Sequence, residues 1–229
     1  MTTAEQVRVT SLRDAEAKAS ALFDEVLARG LIVPGVTERE LSDRVRDLAA
    51  EMFGIRRFWH KRIVRSGPNT VHPYRENPPD LTLGADDIAF LDFGPIFDEW
   101  EADFGRTFVL GDDPDRHRLA DDLPRLWAAG RDHFRTRPDV TGEQLYDHVL
   151  ELIAAAGWAH PETHAGHLVG EFPHERIDGE ERHSYITTGN TAPLRRLSPS
   201  GKVCHWILEI HIVDPVRGFG GFHEQLLDV

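Results

Sequence analysis

Fifteen residues of this chain occur twice in related form. "VTERELSDRVRDLAA" (Val36 to Ala50) aligns without gaps with "VTGEQLYDHVLELIA" (Val140 to Ala154), with seven identities at an offset of 104. A repeat over that distance constrains the fold strongly, because the chain is then expected to consist of two halves of like topology, about 20–110 and 124–229. Both segments open with a threonine N-cap, and Glu40 and Gln144 stand three residues later, where each can complete a capping box. The apolar residues that follow recur at spacings of three and four, so each helix buries one face. The same offset pairs Leu22 with Leu126 and Pro34 with Pro138. Each half therefore reads as helix, proline-bearing turn, helix, then strands, although amphipathic patterning by itself also produces matches of this kind.

After the first helix pair, "DIAFLDFGPIF" reads as a buried strand and "RTFVLG" as its antiparallel partner, joined through "DEWEADFG". After the second pair, "HAGHLVGEF" and "SYITTGN" are short strand candidates. "KVCHWILEIHIVD" is a longer one, leading through "PVRGFGG" into "FHEQLLDV". Two helix pairs backing a largely antiparallel sheet make an α+β domain, with the cleft on the sheet face away from the helices. A length of 229 residues at 40% hydrophobic content is enough for one domain over 1–229 with a substantial core.

A net charge of −13 argues against a nucleic-acid surface. The one basic cluster, "RRFWHKRIVRSG", reads as a strand and loop whose cations sit near an acidic interior or a substrate carboxylate, in preference to an RNA contact. The single cysteine, Cys204, excludes an internal disulfide and a cysteine-cluster zinc site. It reads as a small buried filler. With no apolar run after a basic start and no membrane-length apolar stretch, a cytoplasmic protein without a membrane partner is expected.

Asp92 and Asp103 lie eleven residues apart, each among apolar or aromatic neighbours where an unpaired anion costs several kcal/mol or more. A cation resolves that cost. His167, Glu209 and Glu224 provide the other donors such a site needs, and four carboxylates with one imidazole suit a pair of divalent ions. Taken singly, each of the five is more often an ordinary core or surface residue.

Taken in order, they resemble the pita-bread metallopeptidase family of methionine aminopeptidase, aminopeptidase P, prolidase and creatinase. The resemblance rests on "LDFG" followed by "ADFGRTF" around Asp92 and Asp103, on "GHLVG" followed by "PHERI" around His167 and His174, and on the glutamate of "EQLLDV", Glu224. It runs from about Leu22 to the end. It implies the pita-bread fold and two divalent metals held by Asp92, Asp103, His167, Glu209 and Glu224, with manganese or iron favoured over cobalt or zinc. It also implies hydrolysis of a peptide or amide C–N bond in a small substrate, most closely of Xaa-Pro type. Glu209 would take a proton from the attacking water, while His72 and His174 hold the substrate amide and the developing oxyanion. On its own, His72 beside Pro73 reads as a loop residue.

Two departures limit what carries over. The family's aminopeptidases have a proline after the fourth ligand, whereas Glu209 is followed by Ile210 and His211. In an extended strand His211 shares a face with Glu209 and would support or join the ligands, the alternative being a solvent-facing edge. His164 is a further candidate for a supporting or substrate-binding role. The chain is also expected to lack the additional N-terminal domain of the larger members, so that selection would come from elsewhere, such as the second subunit of a homodimer. A creatinase-like hydrolase or an iron-dependent oxidation on the same scaffold stays open, and so does a metal-free binding module.

Overall fold

The computed structural model describes residues 2–175 and 181–229. Helices α1 (Thr3–Ala28) and α2 (Glu38–Phe53) precede strands β1 (Ile63–Ser66), β2 (Asp87–Phe93), the small hairpin β3 (Ile96–Phe97) and β4 (Trp100–Glu101), and β5 (Phe104–Leu110). Helices α3 (Pro114–Thr136) and α4 (Gly142–Ala155) then precede β6 (Leu168–Val169), β7 (His205–Asp214) and β8 (Phe219–Leu226). The main sheet has the order β1-β2-β5-β8-β7-β6, and every pairing in it is antiparallel. That order places the first half's strands on one side and the second half's on the other, meeting at β5 and β8.

The capping signals hold, with one difference between the repeats. Thr141 and Gln144 form a complete capping box on α4. On α2, the Thr37 hydroxyl accepts from the Glu40 amide, but the Glu40 carboxylate turns outward to Arg44 at 2.6 Å. An available arginine one turn on draws the glutamate away from the N-cap amide.

Pleat alternation separates core from site. Ala89, Leu91 and Phe93 of β2 pack with Leu22, Phe23, Leu41 and Val45 of the first helix pair. Leu208, Ile210 and Ile212 of β7 pack with Leu123, Trp127, Leu145 and Val149 of the second. The intervening residues, Phe90 and Asp92 on β2 and Glu209 and His211 on β7, line a cavity on the other face. At about 25 cal/mol per Å² of apolar area removed from water, each fully buried leucine or phenylalanine here stabilises by roughly 2 kcal/mol.

Three strand expectations are corrected. "HAGHLVGEF" contributes only Leu168–Val169, and "SYITTGN" forms no strand. Its Ile186 exchanges backbone hydrogen bonds with Ala165 and Gly166, both 2.8 Å, before Gly189 at φ 79° turns the chain away. "DIAFLDFGPIF" breaks into β2 and β3, because Pro95 has no amide to continue the ladder.

Candidate metal centre

Strand register builds the centre. Asp92 pairs with Gly105, Gly105 with Glu224, and Glu224 with Glu209, so three carboxylates lie in one row across four adjacent strands and face the same way. Gly105 keeps that row open, since a Cβ there would fall 2.5 Å from Phe222 Cδ1 and 3.1 Å from Glu224 Cβ. Asp103, between β4 and β5, enters from the end of the row. His167 is fixed alongside β7, its carbonyl accepting from the Ile207 amide at 2.9 Å.

The five residues expected as ligands converge. His167 Nε2 lies 3.0 Å from Asp103 Oδ2, 3.4 Å from Glu209 Oε1 and 3.9 Å from Glu224 Oε1. Its Nδ1 donates to the Leu168 carbonyl at 2.8 Å, which directs Nε2 at the carboxylates. All four carboxylates are buried. Burial, with neighbouring carboxylates adding to it, pushes Asp92 up to about 7, Glu209 up to about 8 and Glu224 well above the usual range. Burial acts on Asp103 in the same sense, but His60 and His167 overcome it and hold that carboxyl well below the usual range. The same contacts raise His60 and His167 to about 9 against the opposing effect of burial.

Asp92 Oδ1 and Glu224 Oε2 are buried without a hydrogen-bond partner. An orphaned carboxylate oxygen in the interior carries its full desolvation penalty, which an ion removes. His60, Asp92 and Asp103 form one set of donor atoms within 4.8 Å of one another, and Asp103, His167 and Glu224 form a second. Asp103 belongs to both. Buried oxygens with imidazole nitrogen and no thiolate fit divalent manganese, iron, cobalt or zinc.

The surrounding residues divide. His174 lines the cavity, and its Nδ1 donates to Glu101 Oε2 at 2.8 Å. Glu101, 1% exposed, also accepts from the amides of Gly170 and His174, so the imidazole is held on a fixed carboxylate. Of the "PHERI" motif, Arg176 and Ile177 lie outside the described residues. His164 lines the cavity with Nδ1 buried and 3.6 Å from Glu209 Oε2. Burial, aided by His167, pushes this imidazole down to about 4. His211 does share the face of Glu209, but it donates through Nε2 to the Thr70 carbonyl at 2.8 Å and stands 3.8 Å from Glu162, away from the ligand row.

His72 is not brought into the cavity lining. Its Nδ1 meets the exposed Glu76 carboxylate, and Arg65 binds the carbonyls of His72, Pro73 and Glu76. That grip turns the loop so that Tyr74 lines the cavity in its place.

Sequence reasoning named neither His60 nor Glu101 nor Glu162. His60 lies within the basic cluster read as facing an acidic interior, and Glu101 lies in "DEWEADFG", where three acids precede Asp103. Those were the available signals. Glu162, which accepts from the Tyr74 amide, carried none.

Residues 10–218 match the family model described as metallopeptidase family M24. The chain is 26% identical over 168 residues to the Xaa-Pro dipeptidase of Lactobacillus helveticus, covering 73% of this chain and 45% of that protein. Among solved structures, dipeptidase PepE from Mycobacterium ulcerans is 28% identical with a TM-score of 0.71, covering 94% of this chain and 54% of that one. The X-Pro aminopeptidase from Thermotoga maritima, at 19% identity, shares the fold with a TM-score of 0.74, over 98% of this chain and 61% of that one. The chain thus spans about half the length of the curated relatives it matches. Its pita-bread architecture and the family match over most of its length agree: the chain belongs to metallopeptidase family M24.

Proposed function

We propose that the chain is a dinuclear metal hydrolase of peptide C–N bonds, acting on short substrates of Xaa-Pro type. The observation that carries this reading is the pair of overlapping donor sets sharing Asp103 at the base of a cavity of about 520 Å³. That size suits a dipeptide or tripeptide. Four ionised carboxylates are balanced in charge by two divalent ions, with manganese or iron favoured. Asp92, Asp103, His167, Glu209 and Glu224 would hold them. Bound there, the ions would supply an activated water and polarise the scissile carbonyl.

The chain's own residues supply the rest. Glu209, holding an ion through one carboxylate oxygen, would accept the water's proton on the other and return it to the leaving amine. His174 commits Nδ1–H to Glu101, so it is the candidate donor to the developing oxyanion through Nε2–H when both ring nitrogens carry a proton. Trp59, Phe90 and Phe222 provide apolar wall against which a proline ring packs.

The relatives named as Xaa-Pro dipeptidase and putative Xaa-Pro aminopeptidase support the substrate class. Within the same reading the chain is one domain, 1–229, with repeat-related halves 20–110 and 124–229, and the strand order supports it. Among the described residues no helix is long and apolar enough to cross a membrane. A cytoplasmic location is proposed from the single buried, free Cys204.

Manganese-loaded chain incubated with Xaa-Pro dipeptides, Xaa-Pro tripeptides and dipeptides without proline should release the N-terminal residue, with the proline-containing substrates cleaved fastest. Amino-acid analysis follows the products. Failure to cleave any of them with manganese, iron, cobalt or zinc would overturn the proposed activity.

A further inference from the structure

The family resemblance provides a single imidazole to the ligand set, yet a second stands at the same carboxylate. His60 Nε2 lies 3.0 Å from Asp103 Oδ1 and 3.5 Å from Asp92 Oδ1, and its side chain is 6% exposed. His167 makes the matching approach to the other oxygen of Asp103, also at 3.0 Å. The two rings are oriented in the same way. His60 Nδ1 donates to the carbonyl of the next residue, Lys61, at 2.7 Å, as His167 Nδ1 does to Leu168. A carbonyl only accepts, so the proton of a neutral ring sits on Nδ1 and the lone pair of Nε2 faces the carboxylates, the tautomer a metal ligand requires.

His60 is also held in place before any ion arrives. The Trp59 amide donates to the Gly94 carbonyl at 2.9 Å, and the Trp59 indole donates to the Ala102 carbonyl at 3.0 Å. Gly94 makes room for this segment, because a Cβ there would lie 2.4 Å from His60 Nε2 and 2.4 Å from Trp59 Nε1. Asp92 Oδ1, the oxygen nearest His60, is the one without a hydrogen-bond partner.

We infer that His60 is a sixth protein ligand, so that His60, Asp92 and Asp103 grasp one ion while His167, Glu209 and Glu224 share Asp103 around the other. This rests on the dinuclear reading of the site and deepens it. Each ion then has one imidazole, and His60 would bind through the Nε2 lone pair while its Nδ1 proton stays on the Lys61 carbonyl. A nitrogen donor at both positions moves preference from manganese toward iron, cobalt or zinc relative to a site with one imidazole.

The test uses the intact chain labelled with ¹⁵N-histidine and loaded with ¹¹³Cd, read by cadmium–nitrogen scalar coupling in the NMR spectrum. Two histidine Nε2 atoms should show the coupling. His60→Gln should lose one of them and His167→Gln the other, and His60→Gln should weaken zinc binding at least about tenfold in a calorimetric titration. A single coupled histidine in the unaltered chain that survives His60→Gln overturns the inference while leaving the dinuclear reading intact. A chain that binds no cadmium, zinc or manganese overturns both. The count on the unaltered chain decides the question even if His60→Gln fails to fold.

Discussion

Replacing Asp103 with alanine is expected to empty the centre of metal and reduce turnover by roughly three orders of magnitude or more, since several kcal/mol of transition-state stabilisation depend on the ions. No other carboxylate belongs to both donor sets, and its two oxygens each receive an imidazole at 3.0 Å. Removing it takes from two buried imidazoles their nearest anion, leaving Asp92 at 3.5 Å from His60 and Glu209 at 3.4 Å from His167. Each would then lose the strongest of the interactions that lift it to about 9, and burial would weigh more heavily toward the neutral ring. Elemental analysis and steady-state kinetics on the same preparation check both losses. Full metal content in the alanine variant would show that Asp103 does not bridge.

His174→Ala should behave differently: metal content unchanged, with kcat lower by roughly two orders of magnitude, the scale of losing an oxyanion donor. His174 touches Glu101 rather than the ligand carboxylates, so its removal does not open the centre. His167→Ala, by contrast, should lose metal together with activity. If His174→Ala keeps full activity on every substrate that the unaltered chain cleaves, the hydrolytic role of this histidine is wrong.

Much of this site was legible in the sequence because it depends on short-range geometry. Asp92 on β2 and Asp103, one residue before β5, are joined through a short hairpin, and Glu209 and Glu224 lie on two strands joined by a tight turn. Period-two alternation then places Phe90 with Asp92 and His211 with Glu209. The helix pairs were legible for the same reason, their stripes being local.

Loop geometry was not legible. Whether His72 or Tyr74 enters the cavity depends on Arg65 holding three carbonyls from a neighbouring strand. His60 reaches Asp103 only because β1 pairs with β2 and the preceding loop is tied to Gly94. Glu101 meets His174 through the turn at Asp98 and Glu99, both at positive φ, which folds β4 back beside β3. "SYITTGN" has the composition of a strand, but the partner backbone it meets is only a few residues long.

The central claim is that these buried carboxylates exist to hold two ions, and its most direct measurement is the metal content of the purified chain as pH is varied. Asp92 and Glu209, raised to about 7 and about 8, retain protons below those values, and protons compete with metal. A raised carboxyl stabilises the metal-free fold at low pH, and that contribution is lost as pH rises through the folded value, so loading should protect more at higher pH. Elemental analysis after equilibration with manganese should therefore approach two ions per chain near pH 8 and fall steeply by about pH 6. A chain that remains metal-free near pH 8 in millimolar manganese would contradict the account.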